Sequence, residues 1–528
     1  MSGYDYVIVG AGSSGCVLAD RLTRSGRLRV LLLESGPVDA SPLINMPRGF
    51  GKTLMDRGLT WTYVVQKTGG YNEPESWVRG RVLGGSSSVN GMVYVRGQPS
   101  DYDDWGCQGW SWADLKPAFL AIEDHELGAS PMRGQGGPLK VTVHPARQPA
   151  CEAMIAAAGE LGVPRVEDLN AIDGSGFGYQ PRTIWHGRRF SAARAFLRPA
   201  IKRPNLEVRT GVEVLRILFE GRRAVGARIR GPAGEEEVRG AEVIVSAGAL
   251  NTPKLLQLSG IGSAAVLKSA GVEVLHDAPD VGGNMREHRL LMGQFRLRKG
   301  SENSQFRGLG LARSLLRYAL LGQGPLASAA FEVGGFIGTE PGTGRPDAQL
   351  GMGPMSVDRS KPGFSMEQEP GALCGGYVMR PESQGTVRIT SPDPAAPALI
   401  DPNYLATDYD RRVSVALFRF IRELFAQPAL QPFVVRETAP GTEIHADDEI
   451  LDAFHRIGAS GYHAAGTCRM GTDDRAVVDT RLKVRGVEGL RVCDISVMPS
   501  LVSGNTNAPA MAMAWRAADL IEADRLSR

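Results

Sequence analysis

The sequence predicts an α/β protein in which a parallel-sheet domain is interrupted by a second, α+β lobe. The first observation is an apolar run at residues 6–9, a glycine turn, a helical pattern, and a second apolar run at 30–33 that ends at Glu34. The second observation is residues 296–455, where strand-like segments alternate with Pro/Gly/Ser/Asp turns and helical stretches. The glycine turn reads Gly10-Ala11-Gly12-Ser13-Ser14-Gly15.

This turn has the spacing of a dinucleotide-binding loop. Its first glycine allows the tight turn, its second lets the backbone approach a pyrophosphate, and its third lets helix and strand pack closely. Backbone N–H groups at the start of the helix then face the phosphates. Glu34 lies about 20 residues further on, where an acid binds a ribose hydroxyl. The unit therefore predicts a Rossmann-like domain that binds a dinucleotide.

The composition is that of an ordinary globular protein. The chain has 528 residues, 42% of them hydrophobic and 22% charged, and its formal net charge of +3 indicates neither nucleic acid nor an anionic membrane as a partner. Six cysteines form no CxxC pair and no zinc-like spacing, so we expect no metal site and a reducing compartment. Without a signal-like start or an apolar run of about 18 residues, we expect a cytoplasmic protein with no membrane span.

The pattern along the chain predicts three parts. Residues 1–295 form the dinucleotide-binding domain, 296–455 form the inserted lobe, which we expect to bind substrate, and 456–528 return to complete the first domain. We expect the tryptophan-rich stretch 41–110 to be an ordered, packed loop. Helices are expected at 113–125, 150–161, 190–202, 309–320, 408–425, 447–457 and from Pro509 onwards, and strands at 206–219, 224–230, 243–245, 375–379, 386–389 and 490–493.

Four further blocks combine glycine with polar residues that suit a binding site. They are GRVLGGSSSVNGMVY at 80–94, SAGALNTPKLLQLSGIG at 246–262, HAAGTCRMG at 463–471, and DISVMP at 494–499 followed by SGNTN at 503–507.

Together with the glycine turn, these blocks resemble the glucose–methanol–choline (GMC) oxidoreductases, flavoenzymes that oxidise alcohols. The likeness is to bacterial alcohol dehydrogenases and to aryl-alcohol and hydroxymethylfurfural oxidases. It runs from about residue 4 to about residue 523, and 80–103 and 248–262 match the family's two signature patterns. The resemblance implies a Rossmann-like FAD-binding domain, with FAD rather than NAD as cofactor. The implied FAD contacts are Gly10, Gly12, Ser13, Ser14, Gly15, Glu34, Gly84, Ser86, Asn90, Gly91, Met92, Val214 (or Val212), Ala247, Gly248, Asp494, Asn505 and Thr506.

The residue before Asn90 bears on how FAD is held. Some relatives attach FAD covalently through a histidine at that position, whereas this chain has Val89. A valine side chain forms no such bond, so we expect non-covalent FAD.

Alcohol oxidation requires a base for the hydroxyl proton, and histidine has the most suitable pKa. Among eight histidines, His463 resembles the family's catalytic histidine, while His288 resembles a recurrent segment read as structural or flavin-lining. A developing alkoxide needs a second donor. Asn505 occupies the position at which the family places this donor, and we prefer it to Asn507. Its side chain is also suited to a turn or a helix cap. Because the last helix begins near Pro509, its positive end favours a nearby anion.

The expected reaction is oxidation of a primary alcohol, aromatic or otherwise apolar, with O₂ or a quinone-type electron acceptor. Tyr462 corresponds to an aromatic residue of aryl-alcohol-oxidising relatives, and we expect it to contact the substrate. A choline-like activity would need an aromatic cage or a carboxylate, for which Glu332 and Asp347 are candidates. An FAD-containing lyase and a non-catalytic flavoprotein remain alternatives, while the specific alcohol, the acceptor and the oligomeric state stay open.

Overall fold

The computed structural model describes residues 3–66, 75–143, 147–340, 344–361 and 365–526. The α-helices are α1 (Ser13–Thr23), α2 (Pro42–Asn45), α3 (Phe50–Thr53), α4 (Pro99–Asp103), α5 (Trp112–Ile122), α6 (Pro149–Glu160), α7 (Arg198–Ala200), α8 (Gly248–Leu258), α9 (Ala264–Ser269), α10 (Gly308–Leu321), α11 (Asp408–Ala426), α12 (Asp447–Ile457) and α13 (Asn507–Leu526). Short 3-10 helices cover Pro47–Gly49, Gly85–Ser88, Asn303–Phe306, Pro325–Ala327 and Ile495–Val497, and a π-helical turn covers Ala193–Leu197.

The strands are β1 (Tyr4–Val9), β2 (Val30–Glu34), β3 (Thr60–Val65), β4 (Glu75–Gly80), β5 (Glu123–His125), β6 (Leu139–Val141), β7 (Gly176–Tyr179), β8 (Ile184–Trp185), β9 (Arg188–Arg189), β10 (Leu206–Thr210), β11 (Glu213–Glu220), β12 (Arg223–Gly231), β13 (Gly234–Val245), β14 (Ile261–Gly262), β15 (His276–Asp277), β16 (Arg289–Leu297), β17 (Val333–Ile337), β18 (Ala348–Gly353), β19 (Gly371–Val378), β20 (Thr386–Arg388), β21 (Leu399–Asp401), β22 (Val434–Ala439), β23 (Ala459–Ser460) and β24 (Leu490–Val492).

The first sheet is a parallel sheet with an antiparallel extension. Strands β10, β2, β1 and β13 run parallel in that order, and β24 lies parallel to the end of β13. Strand β2 is buried along its whole length, as expected for a parallel strand covered on both faces. The first half of β13 pairs with β12, and β12 with β11, in an antiparallel meander. Helices α1 and α13 belong to the same apolar core as these strands.

The second sheet is antiparallel, in the order β22-β16-β19-β18-β17-β7, with β23 beside β16. Its alternation is clear in β19, because Leu373, Gly375 and Tyr377 border a cavity. The residues that alternate with them, Ala372, Cys374 and Val378, pack in a second apolar core with α6 and α11. The expected combination of an α/β domain and an α+β lobe is confirmed.

Some expected elements differ from those observed. The strand-like run 206–219 is two strands, because Gly211 has a φ of +68° and the chain turns there from β10 to β11. The helix expected at 190–202 is a π-helical turn followed by the single turn of α7. The described part of 41–110 contains short helices and the antiparallel β3–β4 pair, with Trp77 and Trp110 buried.

The second sheet also draws on residues that precede the predicted lobe. Strand β7 and most of β16 lie within 1–295, and α6 belongs to the second apolar core. The division of the chain at 295 and 456 stays a prediction. Among the described helices, none is both long and apolar enough for a membrane crossing.

Candidate active site

A cavity of about 1060 Å³ lies at the carboxyl edge of the parallel strands and extends to the second sheet. Its first end is bordered by residues at or just beyond the carboxyl ends of β1, β2, β13 and β24, namely Gly10, Glu34, Ser246 and Asp494. Ligands of open α/β sheets bind at this edge. Its other end is bordered by side chains of β16, β18 and β19.

The glycine turn is shaped by close backbone contacts. A Cβ at Gly15 would lie 1.9 Å from the carbonyl oxygen of Gly10, and one at Gly10 would lie 2.5 Å from that of Ser246. At Gly12, by contrast, a Cβ would have nothing within 4 Å, and this residue borders the cavity. The first and third glycines therefore serve packing, and the second leaves open space for a ligand.

Helices α1, α8 and α13 begin at the cavity wall, where Ser13, Gly248 and Asn507 border it. At α8 the Gly248 N–H already donates to the Asp494 carboxylate, and the positive ends of α1 and α13 suit a pyrophosphate. The Glu34 carboxylate accepts hydrogen bonds from the backbone N–H of Ala11 and Gly36, at 2.9 and 2.8 Å. The N–H donors at the helix starts and the Glu34 carboxylate together fit a dinucleotide cofactor.

Loop 84–92 packs directly on the glycine turn. The backbone N–H of Gly84 donates to the Ala11 carbonyl at 2.8 Å, and a Cβ at Gly85 would lie 2.7 Å from the Cα of Gly12. The Asn90 side chain is fixed by the buried Arg189, whose guanidinium donates to Asn90 Oδ1 at 2.7 Å.

Asp494 connects two of the sequence blocks. Its Oδ2 accepts from the Gly248 N–H at 2.8 Å and from the Thr252 hydroxyl at 2.6 Å, and its Oδ1 accepts from the Ser496 N–H at 2.8 Å. Of the residues expected to contact FAD, Gly15 and Gly84 lie behind the wall. The others border the cavity: Gly10, Gly12, Ser13, Ser14, Glu34, Ser86, Asn90, Gly91, Met92, Val214, Ala247, Gly248, Asp494, Asn505 and Thr506.

His463 stands at the junction of the two ends, within a chain of hydrogen bonds. Its Nδ1 lies 2.8 Å from Nδ1 of His288, and its Nε2 lies 3.0 Å from Nδ2 of Asn505. His288 Nε2 lies 2.8 Å from the Met379 carbonyl oxygen. On the other side, Gln349 Nε2 donates to Asn505 Oδ1 at 3.5 Å. The Tyr377 hydroxyl donates to Gln349 Oε1 at 2.9 Å, and its ring stacks on His288.

Only one placement of the imidazole protons is consistent with this chain of hydrogen bonds. Because the Met379 oxygen only accepts, His288 carries its proton on Nε2 and accepts at Nδ1. His463 must then donate from Nδ1, which leaves its Nε2 as an unprotonated acceptor facing the Asn505 amide. The arrangement fixes the histidine tautomer that a base requires.

Burial favours the neutral form of both imidazoles. Burial lowers the pKa of His288 to about 3. Burial also lowers the pKa of His463 well below its usual value, and the nearby His288 and Arg79 lower it further.

Glu287 holds the backbone that carries His463. Its buried carboxylate accepts from the N–H groups of His463 and Ala464, at 2.8 and 2.9 Å, and from the Ser460 hydroxyl at 2.9 Å. Between these anchors Tyr462 adopts a φ of +64°, a strained conformation for a bulky residue. Tyr462 borders the cavity, and the Arg79 guanidinium lies 5.6 Å above its ring.

The structure separates the two candidate asparagines. Asn505 faces His463, whereas Asn507 Oδ1 accepts from the Ser13 hydroxyl at 2.7 Å. His288 is buried behind His463 and does not border the cavity. Glu287, Arg189 and the Tyr377–Gln349 pair are not among the site residues expected from the sequence. The motif containing His288 was the one available signal for Glu287.

The second-sheet end of the cavity is uncharged along β16, β18 and β19. Its lining there is Leu290, Met292, Gln349, Leu350, Gly351, Leu373, Gly375 and Tyr377. The acids considered for a cationic substrate lie elsewhere: Glu332 pairs with Arg48 at 3.0 Å, and Asp347 accepts from the Thr339 N–H at 2.9 Å. Neither borders the cavity. Among the described residues, no three His, Cys, Asp or Glu side chains form a group that could hold a metal ion.

Comparison with known proteins identifies the family. Models described as GMC oxidoreductase match residues 4–290 and 381–514. The chain belongs to the GMC oxidoreductases. This confirms the expectation from the sequence that the protein is an FAD-dependent oxidoreductase acting on alcohols.

Relatives align with this GMC protein over nearly its whole length. The mitochondrial choline dehydrogenase of Homo sapiens is 42% identical, covering 98% of this chain and 90% of that protein. An alcohol dehydrogenase [acceptor] of Pseudomonas putida is 38% identical, and the alignment covers 98% of this chain and 95% of that protein. Among solved structures, pyridoxine 4-oxidase from Mesorbium loti is 34% identical, with a TM-score of 0.89 and 99% of each chain covered.

Proposed function

We propose that this enzyme oxidises a neutral, apolar primary alcohol to the aldehyde, with His463 as the base. The observation that carries the proposal is the hydrogen-bond chain that leaves His463 Nε2 unprotonated at the cavity. FAD, when bound, accepts the hydride that leaves the alcohol carbon. The alcohol hydroxyl replaces the Asn505 amide as the donor to His463 Nε2, which takes the hydroxyl proton, and the released Nδ2 hydrogen of Asn505 is available to the oxygen as negative charge develops on it.

The other residues position these groups and the cofactor. Glu34 suits the ribose, the starts of α1 and α13 suit the pyrophosphate, and loop 84–92 suits the isoalloxazine ring. Val89 supports non-covalent binding because its side chain has no nucleophilic atom. The inserted lobe supplies the substrate end, where Tyr462 contacts the alcohol.

The charges around the cavity favour a neutral substrate. Along the described lining from the second sheet there is no carboxylate, and Asp358 at the margin pairs with Lys361 at 2.8 Å. The exposed aromatic ring beside His463, that of Tyr462, lies close to the Arg79 guanidinium. The Arg79 guanidinium is itself paired with the buried Glu287 carboxylate at 3.3 Å, so a quaternary ammonium at this ring would meet a paired guanidinium instead of a cage that attracts it.

Choline is the second candidate, and it is favoured by the choline dehydrogenases among the relatives. A pair of substrates with the same shape decides between the two. We expect 3,3-dimethyl-1-butanol, the uncharged isostere of choline, to bleach the flavin absorbance anaerobically with a kcat/KM at least about tenfold higher than that of choline. A preference for choline would overturn the neutral-substrate proposal.

The same experiment tests the reaction class. If no alcohol bleaches the flavin while dithionite does, the lyase alternative replaces oxidation. Admission of air after bleaching then distinguishes O₂, which restores the colour quickly, from a quinone-type acceptor. The cytoplasmic location stays a prediction.

A further inference from the structure

Helix α10 presents its leucines to solvent. Ser314 is its buried residue, whereas Leu309, Leu315, Leu316, Leu320 and Leu321 are between 44% and 79% exposed. Large exposed apolar patches on a soluble protein mark sites of interaction.

The helix geometry gathers three of these leucines into one stripe. With 3.6 residues per turn, Leu309, Leu316 and Leu320 lie within about 40° of one another on the side opposite the partly buried Tyr318. Arg313 and Arg317 come next around the helix and flank the stripe on one side. We call these five residues, Leu309, Arg313, Leu316, Arg317 and Leu320, the α10 surface.

Further positive charge lies on the Tyr318 side of the helix, opposite the leucine stripe. Arg188 and Arg194 are close enough for their charges to act on the Tyr318 hydroxyl. Arg194 also has Arg198 beside it, which Asp39 pairs with at 2.9 Å. Among the residues that the structure describes, no carboxylate forms an ion pair with Arg188, Arg313 or Arg317. The chain's net charge of +3 averages over the whole surface and conceals this cluster.

A leucine stripe bordered by arginines has the chemistry of a helix that lies in a membrane interface. Its apolar side chains enter the boundary between headgroups and acyl chains, and its cations contact lipid phosphates. A second copy of this chain fits less well, because a two-fold contact places the same patch of both copies together and brings their arginines close.

We propose that the α10 surface docks this protein onto an anionic membrane surface. Docking needs no membrane-crossing segment, since only one face of one helix enters the interface. The proposal does not depend on which alcohol the enzyme oxidises.

The test is co-sedimentation of the holoenzyme with lipid vesicles. Wild-type protein should sediment with phosphatidylcholine–phosphatidylglycerol vesicles, less with pure phosphatidylcholine, and less as NaCl is raised. Leu316→Gln/Leu320→Gln and Arg313→Gln/Arg317→Gln should each lower the partition coefficient at least about tenfold. The flavin absorbance and alcohol oxidation without vesicles should stay unchanged.

Two control variants carry the same kinds of change in other elements of the chain. Leu399→Gln alters an exposed leucine of β21, and Arg228→Gln/Arg230→Gln removes two exposed arginines of β12. Both should bind vesicles like wild type, and equal losses in them would overturn the proposal.

Absence of sedimentation with anionic vesicles would also overturn it. So would a wild-type oligomer, measured by light scattering, that Leu316→Gln/Leu320→Gln dissociates without changing vesicle binding, because the surface would then join copies of the chain. If an α10 variant loses its FAD, the dependence of wild-type vesicle binding on NaCl and on anionic lipid decides whether the proposal stands.

Discussion

Replacing His288 with alanine should slow alcohol oxidation although His288 does not border the cavity. In the wild type, His288 Nδ1 accepts the His463 Nδ1 proton and thereby keeps His463 Nε2 free to take a proton. Without that acceptor, His463 is left with an unpaired buried donor in its productive tautomer. The other tautomer carries the proton on Nε2 and does not act as a base.

The size of the effect follows from the lost hydrogen bond. Leaving a buried donor unpaired costs about 1–3 kcal/mol, and each 1.36 kcal/mol is about tenfold in rate. We therefore expect anaerobic flavin bleaching in His288→Ala to be about 10- to 100-fold slower at saturating alcohol, with unchanged FAD content and little change in substrate affinity.

His288→Asn is the matched control. An asparagine Oδ1 lies near the position of the histidine Nδ1 and accepts the same proton, so this variant should keep a rate within about tenfold of wild type. Stopped-flow bleaching at several pH values compares the variants. If His288→Ala and His288→Asn are equally fast, or equally slow with full FAD, the tautomer argument is refuted.

The remaining predictions concern the base, its neighbour, the cofactor and pH. His463→Ala should keep FAD but slow flavin bleaching by at least about 10²-fold; a near-normal rate would remove His463 from the mechanism. Asn505→Ala should slow bleaching by about 10²-fold or more, whereas Asn507→Ala should mainly weaken FAD binding, measured by ultrafiltration; the reverse pattern would exchange their roles. Acid precipitation should release all FAD into the supernatant, and colour in the pellet would contradict the expectation from Val89. Burial lowers the pKa of His463 and takes that of His288 from 6.5 to about 3, so the unfolded chain binds protons that the native protein does not as pH falls below 6.5. The urea midpoint should therefore drop between pH 7 and pH 5, and less in His288→Asn; equal drops in the two proteins would contradict this origin.

The sequence predicts those parts of the site that lie within one continuous motif. The glycine turn and Glu34 belong to a single βαβ unit, so their spacing determines their geometry. Likewise, His463 opens a block that is recognisable on its own. In each case the chemistry and the backbone conformation are encoded in neighbouring residues.

Contacts between distant segments are less accessible from sequence. His288 and His463 are 175 residues apart, and they meet because β23 pairs with β16, which follows His288 directly. The Tyr377–Gln349 bond depends on the register of β19 against β18, in which these two residues are direct partners. A sequence shows that such strands alternate, but the pairing partner and its register come from tertiary packing.

A sequence argument also cannot assign different roles to two asparagines that are only two residues apart. Asn505 and Asn507 flank Thr506 at the start of α13, where the chain passes from a loop into a helix. The two side chains therefore leave the backbone in different directions, one to His463 and the other to Ser13. Only the observed dihedral path assigns each asparagine its neighbour.

Overall sequence identity and the side chains that line the site give different information about the substrate. An identity of 42% to a choline dehydrogenase is an average over 536 aligned residues, and a shared fold does not by itself determine the substrate. Substrate charge depends on the few side chains that face the alcohol. Here these are the apolar residues of β16 and β19, with Arg79 beside Tyr462. If the isostere pair nevertheless favours choline, the ammonium must be bound without a carboxylate on these strands, and the charge argument fails for this site.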